Sequence, residues 1–153
     1  MMERDAIEHL RDLAARYARA VDRRDADMLL SVFHPTATLT VQPPDDSEKS
    51  VLNMQGHGEI GRLTKAISRY RKTFHFLGQS TYQFGDVEAT GEVYCLAHHL
   101  TQDPGRVVDH VMCIRYQDRY LPEAGEWKIQ SREVLIDWTE TRPADASWAD
   151  ADE

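Results

Sequence analysis

Apolar residues recur at helical spacing over residues 5–23, where Ile7, Leu10, Leu13, Ala14, Tyr17, Ala18 and Val21 alternate with Glu, Arg and Asp. That pattern predicts an amphipathic helix with one face turned to a core. The Arg23-Arg24-Asp25 stretch breaks it, and Asp25 is placed to cap a second, shorter helix over 26–33 with Met28, Leu29, Val32 and Phe33 apolar. Pro35 ends helical structure. Residues 37–41 predict a short strand, the polar, proline-containing run at 42–50 a mobile surface loop, and 51–55 a return strand. A third helix is predicted over 58–71, with Ile60, Leu63, Ile67 and Tyr70 spaced to cover one side of a sheet.

The period then changes to two. Strands at 74–84 and 89–101, joined by a turn at Gly85-Asp86, form an antiparallel hairpin. Its open end gathers His75 with His98 and His99, which lie far apart in sequence. In the strand at 106–120, Val108, His110, Met112, Ile114, Tyr116 and Tyr120 take one face, and Arg115, Gln117 and Arg119 the other. After a turn at 122–125 comes a last strand over 126–138, and residues 139–153 read as an acidic, disordered tail with Trp148 as its candidate anchor. The domain is expected to span 1–140, followed by a tail at 141–153. Helices first and long antiparallel strands after them predict an α+β fold, with helices packed on one face of a curved sheet. Such an arrangement leaves a cone-shaped cavity, the kind of place where small ligands bind.

Composition narrows the function. A chain of 153 residues is one domain's worth, and 41% hydrophobic with 29% charged residues is ordinary for a soluble globular protein. A net charge of −8 argues against nucleic acid or an anionic membrane as partner. Cys95 and Cys113 show no ligand spacing and read as reduced core residues of a cytoplasmic protein. Neither a signal peptide nor an apolar run long enough for a membrane helix is evident.

The candidate chemistry is that of histidine. An imidazole titrates near pH ~6.5 and can take a proton at neutral pH. A carboxylate on its other nitrogen fixes the tautomer and stabilises the imidazolium. Asp22, at the end of the first helix, can supply that carboxylate to His75; the bland alternative is a satisfied core histidine and an aspartate that merely ends a helix. Neighbouring strand residues face opposite ways, so only one of His98 and His99 can point inward. Ala89, Val93, Cys95 and Ala97 share the phase of His99 and favour it, whereas a clean GDVE loop would pair His75 with His98 and a β-bulge would restore His99. Tyr17 lies five residues before Asp22, about 140° around the helix, and shares its face loosely. His110, Met112 and Tyr116 are expected to shape the pocket, and Arg132 to meet a neighbouring carboxylate. A zinc site built from His75, His98, His99 and His110 lacks the usual spacing, so no metal and no cofactor is expected.

The stretches RYARAVDRRDADMLLSVFHPTATL, HFLGQSTYQFGDVEATGEVYCLAHH and GEWKIQSREVLIDW resemble the SnoaL-like branch of the nuclear-transport-factor-2-like superfamily. The resemblance implies a cone-shaped α+β barrel, with about three N-terminal helices on a strongly curved, mostly antiparallel sheet. Within the family it is nearest to scytalone dehydratase, bile-acid 7α-dehydratase and hexachlorocyclohexane dehydrochlorinase, cofactor-free enzymes that remove a proton and a leaving group from a cyclic substrate. It implies catalytic roles for Asp22 and His75, a second active-site histidine at His99, and an active-site tyrosine at Tyr17; His98 is kept as a pocket residue with His110, Met112 and Tyr116. Val21 and Val41 stand where scytalone dehydratase has pocket tyrosines, and Ala97 where the bile-acid enzyme has an aspartate. The reading is therefore a lyase or isomerase for a small hydrophobic cyclic or polyketide-like substrate, with neither of those substrates implied. The rivals are a polyketide cyclase, a ketosteroid isomerase, or a non-catalytic ligand-binding or dioxygenase β-subunit-like module. The resemblance also implies a homo-oligomer, a trimer before a dimer.

Overall fold

The computed structural model describes residues 2–44 and 52–145. Helix α1 (Glu3–Arg23) buries Leu10, Leu13, Tyr17 and Val21, the face its spacing predicts. It stops at Arg24, which adopts the left-handed conformation (φ 57°, ψ 37°) common just past helix ends. Asp25 caps α2 (Ala26–Ser31), its side chain accepting the Met28 N–H at 3.0 Å. This helix ends short of Phe33 because Phe33 opens β1 (Phe33–Gln42), pairing with Ile129. Pro35 sits between Phe33 and Thr38, where the register shifts and no ladder bond is interrupted.

The single helix expected over 58–71 is two short ones, α3 (Gly56–Ile60) and α4 (Leu63–Ile67), and residues 68–71 form a turn. The break falls at Gly61, whose missing side chain leaves room for the His57 carbonyl and for Leu30. Beyond α4, the Arg71 N–H bonds the Leu100 carbonyl at 2.8 Å and delivers the chain to the sheet.

The remaining strands are β2 (Leu52–Gln55), β3 (Lys72–Phe84), β4 (Ala89–Asp103), β5 (Arg106–Glu123) and β6 (Glu126–Ala144). They form one six-stranded sheet in the order β2-β1-β6-β5-β4-β3; β1 and β6 are parallel and every other pair antiparallel. Register shifts in the β3–β4, β5–β6 and β1–β6 pairs bend the strands, and α1 lies against β3 and β6 on the inner face. The fold is the expected α+β one. Strand β6 runs past Trp138 to Ala144, with residues 139–144 paired to 107–112 of β5, which corrects the disordered tail expected from 139. Residues 139–142 are polar and 139–143 exposed, so backbone pairing holds this end without a hydrophobic signal. Trp148 lies outside the described residues.

One register shift matters most. Ser80 pairs with Val93 but Leu77 with Cys95, so Gly78 and Gln79 form a bulge in β3. Gly78 suits the position, since a Cβ there would approach the Tyr94 Cβ to 3.2 Å. The bulge moves the partner of His75 to Ala97 and puts His75 on the same face as His99. Cys95 is buried, Cys113 half-buried, and both thiols are free. Among the described residues no helix is long and apolar enough to cross a membrane.

Candidate active site

The last turn of α1 brings Asp22 against the start of β3. Asp22 Oδ1 accepts the His75 Nδ1–H at 2.7 Å and the Thr73 hydroxyl at 3.0 Å, and Oδ2 accepts the His75 backbone N–H at 2.9 Å. Burial opposes the charge on Asp22, but bonds from the His75 ring and backbone, the His75 charge and the Thr73 hydroxyl outweigh it and hold the carboxyl below its usual range. An ionised Asp22 can only accept. Nδ1 of His75 therefore carries a proton, and in the neutral ring the free lone pair is on Nε2.

His75 lines a cavity of about 250 Å³. Its walls are mainly apolar, among them Val21, Leu39, Val41, Leu63, Met112, Ile114, Val134 and Ile136, with Tyr17, Tyr70, His99 and Tyr116 as polar points and Arg69 at the exposed rim. His99 meets His75 edge-on, ring centroids 5.8 Å apart, and lies 4.6 Å from the Tyr70 ring. Its Nδ1–H donates to the His110 carbonyl at 3.0 Å. Burial pushes the His99 pKa down to about 4; that bond resists, and the charges of His75 and His110 reinforce the fall. At neutral pH His99 is therefore an uncharged ring that offers the cavity an acceptor and no donor. Tyr17 is the reverse. Burial, only partly offset by the Arg132 charge, raises its hydroxyl to about 12, so it stays protonated and can donate.

Behind Tyr17 and Tyr116 lies a buried ion pair. Arg132 donates twice to Asp118, at 2.8 and 2.7 Å, and Tyr120 donates to the same carboxylate at 2.7 Å. The guanidinium sits 4.3 Å from the Tyr17 ring centroid and 4.1 Å from that of Tyr116. Arg132 thus meets the carboxylate its inward position demands and stiffens both tyrosines.

The structure brings Asp22, His75, His99, Tyr17, Met112 and Tyr116 together, and leaves two expected pocket residues out. His98 points to the outer face, as strand alternation requires once His99 is inside, and pairs there with Asp109 at 2.7 Å beside Phe74. His110 shares the inner face with His99 but leans towards β6, bonding the Thr141 hydroxyl at 2.9 Å outside the cavity lining. Among the described residues no group of three or more His, Cys, Asp or Glu could hold a metal ion. Sequence reasoning missed Thr73, Arg24, Tyr70 and Asp118. Two of them carried a readable signal of facing: Thr73 lies two residues before His75, and Asp118 lies between Tyr116 and Tyr120 on the inner face of β5.

An apolar cavity inside an α+β barrel, with a histidine and an aspartate bonded at its edge, defines the class of protein. Residues 2–133 match the model of the SnoaL-like domain, and the chain belongs to that family. No curated protein matches the sequence. Among solved structures, a hexachlorocyclohexane dehydrochlorinase (LinA) of type 2 superposes with TM-score 0.76 at 16% identity, over 92% of this chain and 90% of its own. A candidate scytalone dehydratase from Novosphingobium aromaticivorans DSM 12444 gives 0.73 at 19% identity, covering 92% and 91%. A candidate aromatic ring hydroxylase from Novosphingobium aromaticivorans gives 0.76 at 18% identity, covering 97% and 99%. At these identities the likeness concerns the fold.

Proposed function

We propose that the chain is a cofactor-independent lyase or isomerase for a small hydrophobic cyclic or polyketide-like substrate. The observation that carries this reading is the bond from His75 Nδ1 to an ionised Asp22, with the ring opening into an apolar cavity. Nε2 takes a proton from carbon next to a carbonyl, and Asp22 stabilises the imidazolium. The Tyr17 hydroxyl donates to the carbonyl oxygen as it gains charge. The proton then passes from His75 to a departing hydroxyl, which leaves as water, or to another carbon, which shifts the double bond. Either way the enzyme returns to its starting state. His99 accepts a hydrogen bond from a substrate hydroxyl, because a neutral ring with Nδ1–H bound to a carbonyl has no proton to give.

The cavity's 250 Å³ lies below the roughly 300–1,000 Å³ of drug-sized sites, which favours one- or two-ring compounds over a four-ring steroid. The test is a screen of cyclic β-hydroxyketones and enones for elimination or double-bond shift. His75→Ala and Asp22→Asn should each lower kcat by about 10²–10⁴-fold. Unchanged turnover in His75→Ala would falsify the assignment.

A non-catalytic ligand-binding or structural subunit of the same fold is the rival, and the formed Asp22–His75 pair weighs against it. We also infer a homo-oligomer, a trimer, formed through the outer face of the sheet. Phe76, Leu96, Cys113 and Trp138 stand opposite one another across β3, β4, β5 and β6, and Phe76, Leu96 and Trp138 are 61, 45 and 54% exposed. A continuous apolar row of this kind is a contact surface.

A further inference from the structure

We propose that Thr73 and Arg24 are positioning residues, forming with Asp22 a one-way hydrogen-bond chain that aims the carboxylate at His75. The proposal rests on the acid–base reading of the Asp22–His75 pair and extends it to two residues that never reach the cavity.

Direction follows from donor chemistry. Arg24 Nη1 lies 2.7 Å from Thr73 Oγ1, and a guanidinium can only donate. The threonine oxygen therefore accepts from Arg24, and its single proton is turned to Asp22 Oδ1 at 3.0 Å. That oxygen also takes the His75 Nδ1–H, and Oδ2 is pinned by the His75 backbone N–H. With three donors fixed around it, the carboxylate cannot rotate away from the ring. Because arginine stays charged throughout the working pH range, the chain never reverses.

Arg24 is itself well anchored. Its Nη1 also donates at 2.8 Å to the Val21 carbonyl in the last turn of α1, a carbonyl that the Arg24 backbone N–H reaches at 3.2 Å. Its Nη2 reaches the carbonyls of Ile67 and Tyr70 at 3.4 and 3.3 Å. One guanidinium thus joins the end of α1, the turn that carries Tyr70 over His99, and the first residues of β3. The backbone conformation at Arg24 is one that glycine would adopt more readily, so the arginine is there for its side chain.

The experiment compares Thr73→Val, Thr73→Ser and Arg24→Gly with wild type, each checked for folding by circular dichroism. The readouts are the His75 Nδ1–H proton resonance without substrate, then kcat and KM on a compound found by the elimination screen. Serine keeps the hydroxyl, and glycine suits the helix-end conformation, so Arg24→Gly cuts the chain even if valine at 73 fails to fold. In Thr73→Val and Arg24→Gly the Nδ1–H resonance should move upfield and broaden by solvent exchange. Turnover should fall roughly 10–100-fold with little change in KM, less than for loss of His75 itself. Thr73→Ser should restore both readouts. An Nδ1–H resonance identical to wild type in both Thr73→Val and Arg24→Gly overturns the proposal. If the resonance moves and turnover does not, the positioning chain stands and the catalytic reading of the pair falls.

Discussion

His99 spans two functions at the scale of a single residue. It is 3% exposed, packed between Tyr70 and His75, and kept neutral by burial. Its folded pKa of about 4 lies below the unfolded ~6.5, so between these values the unfolded chain binds a proton that the folded chain refuses. Stability must then fall as pH drops from about 6.5 to 4, by about 3 kcal/mol from this residue, and level off below that window. Urea unfolding at pH 7 and pH 4 should show a loss in wild type that exceeds the loss in His99→Gln by about that amount; equal losses would mean that His99 charges freely in the folded state. Asp22 acts in the same direction, its depressed pKa giving stability that is complete above the usual carboxylate range and lost as pH falls through the lowered value. The pairing of Asp22 with His75 was legible in the sequence. The parts of Thr73 and Arg24 were not: alternation puts Thr73 on the face of His75, but a threonine and an arginine have too many ordinary uses for spacing alone to assign them a role.

At the scale of elements, the bulge at Gly78 and Gln79 decides which histidine enters the cavity. The segment that pairs Ser80 with Val93 would, continued without interruption, set His75 opposite His98. Deleting Gln79 leaves Gly78 alone opposite Tyr94, which straightens the strand but keeps Leu77 with Cys95 and His75 with Ala97. The expected outcome is a sheet-rich protein that keeps the His75–Asp22 bond, read from circular dichroism and the Nδ1–H resonance. A folded deletion variant that has lost the Nδ1–H resonance would contradict this pairing. Alternation in β4 marked His99 as the inward residue, but two loop geometries fitted the hairpin, and only the three-dimensional register separates them. The helix expected over 58–71 failed for a related reason: the apolar spacing of Ile60, Leu63 and Ile67 persists across Gly61, although the backbone there turns to pack on Leu30.

For the whole molecule, the sheet presents one face to α1 and the cavity and leaves an apolar row on the other. The α+β order of elements and the inner face of β5 were legible because burial imprints a period on sequence. The length of β6 was not, since residues 139–144 are held by main-chain pairing and carry no apolar stripe. The outer row gives the expectation for assembly: light scattering after gel filtration should find a mass near three times the 17.6 kDa chain, and Phe76→Glu with Trp138→Glu should reduce it to one. A wild-type monomer would remove the oligomer reading and leave the apolar row unexplained. Net charge stays well below zero, so long-range attraction to polyanions is not expected to contribute.

The central claim is that His75, held by Asp22, removes a proton from carbon inside the cavity. It is tested most directly by following hydrogen–deuterium exchange at the α-carbon of small cyclic ketones and β-hydroxyketones in D₂O by NMR. Exchange reports the proton transfer whether or not a leaving group departs. Wild type should speed exchange for at least one- or two-ring members of the panel, and His75→Ala and Asp22→Asn should return it to the uncatalysed rate. Exchange that persists undiminished in His75→Ala, or none for any compound that binds the cavity, would contradict the account.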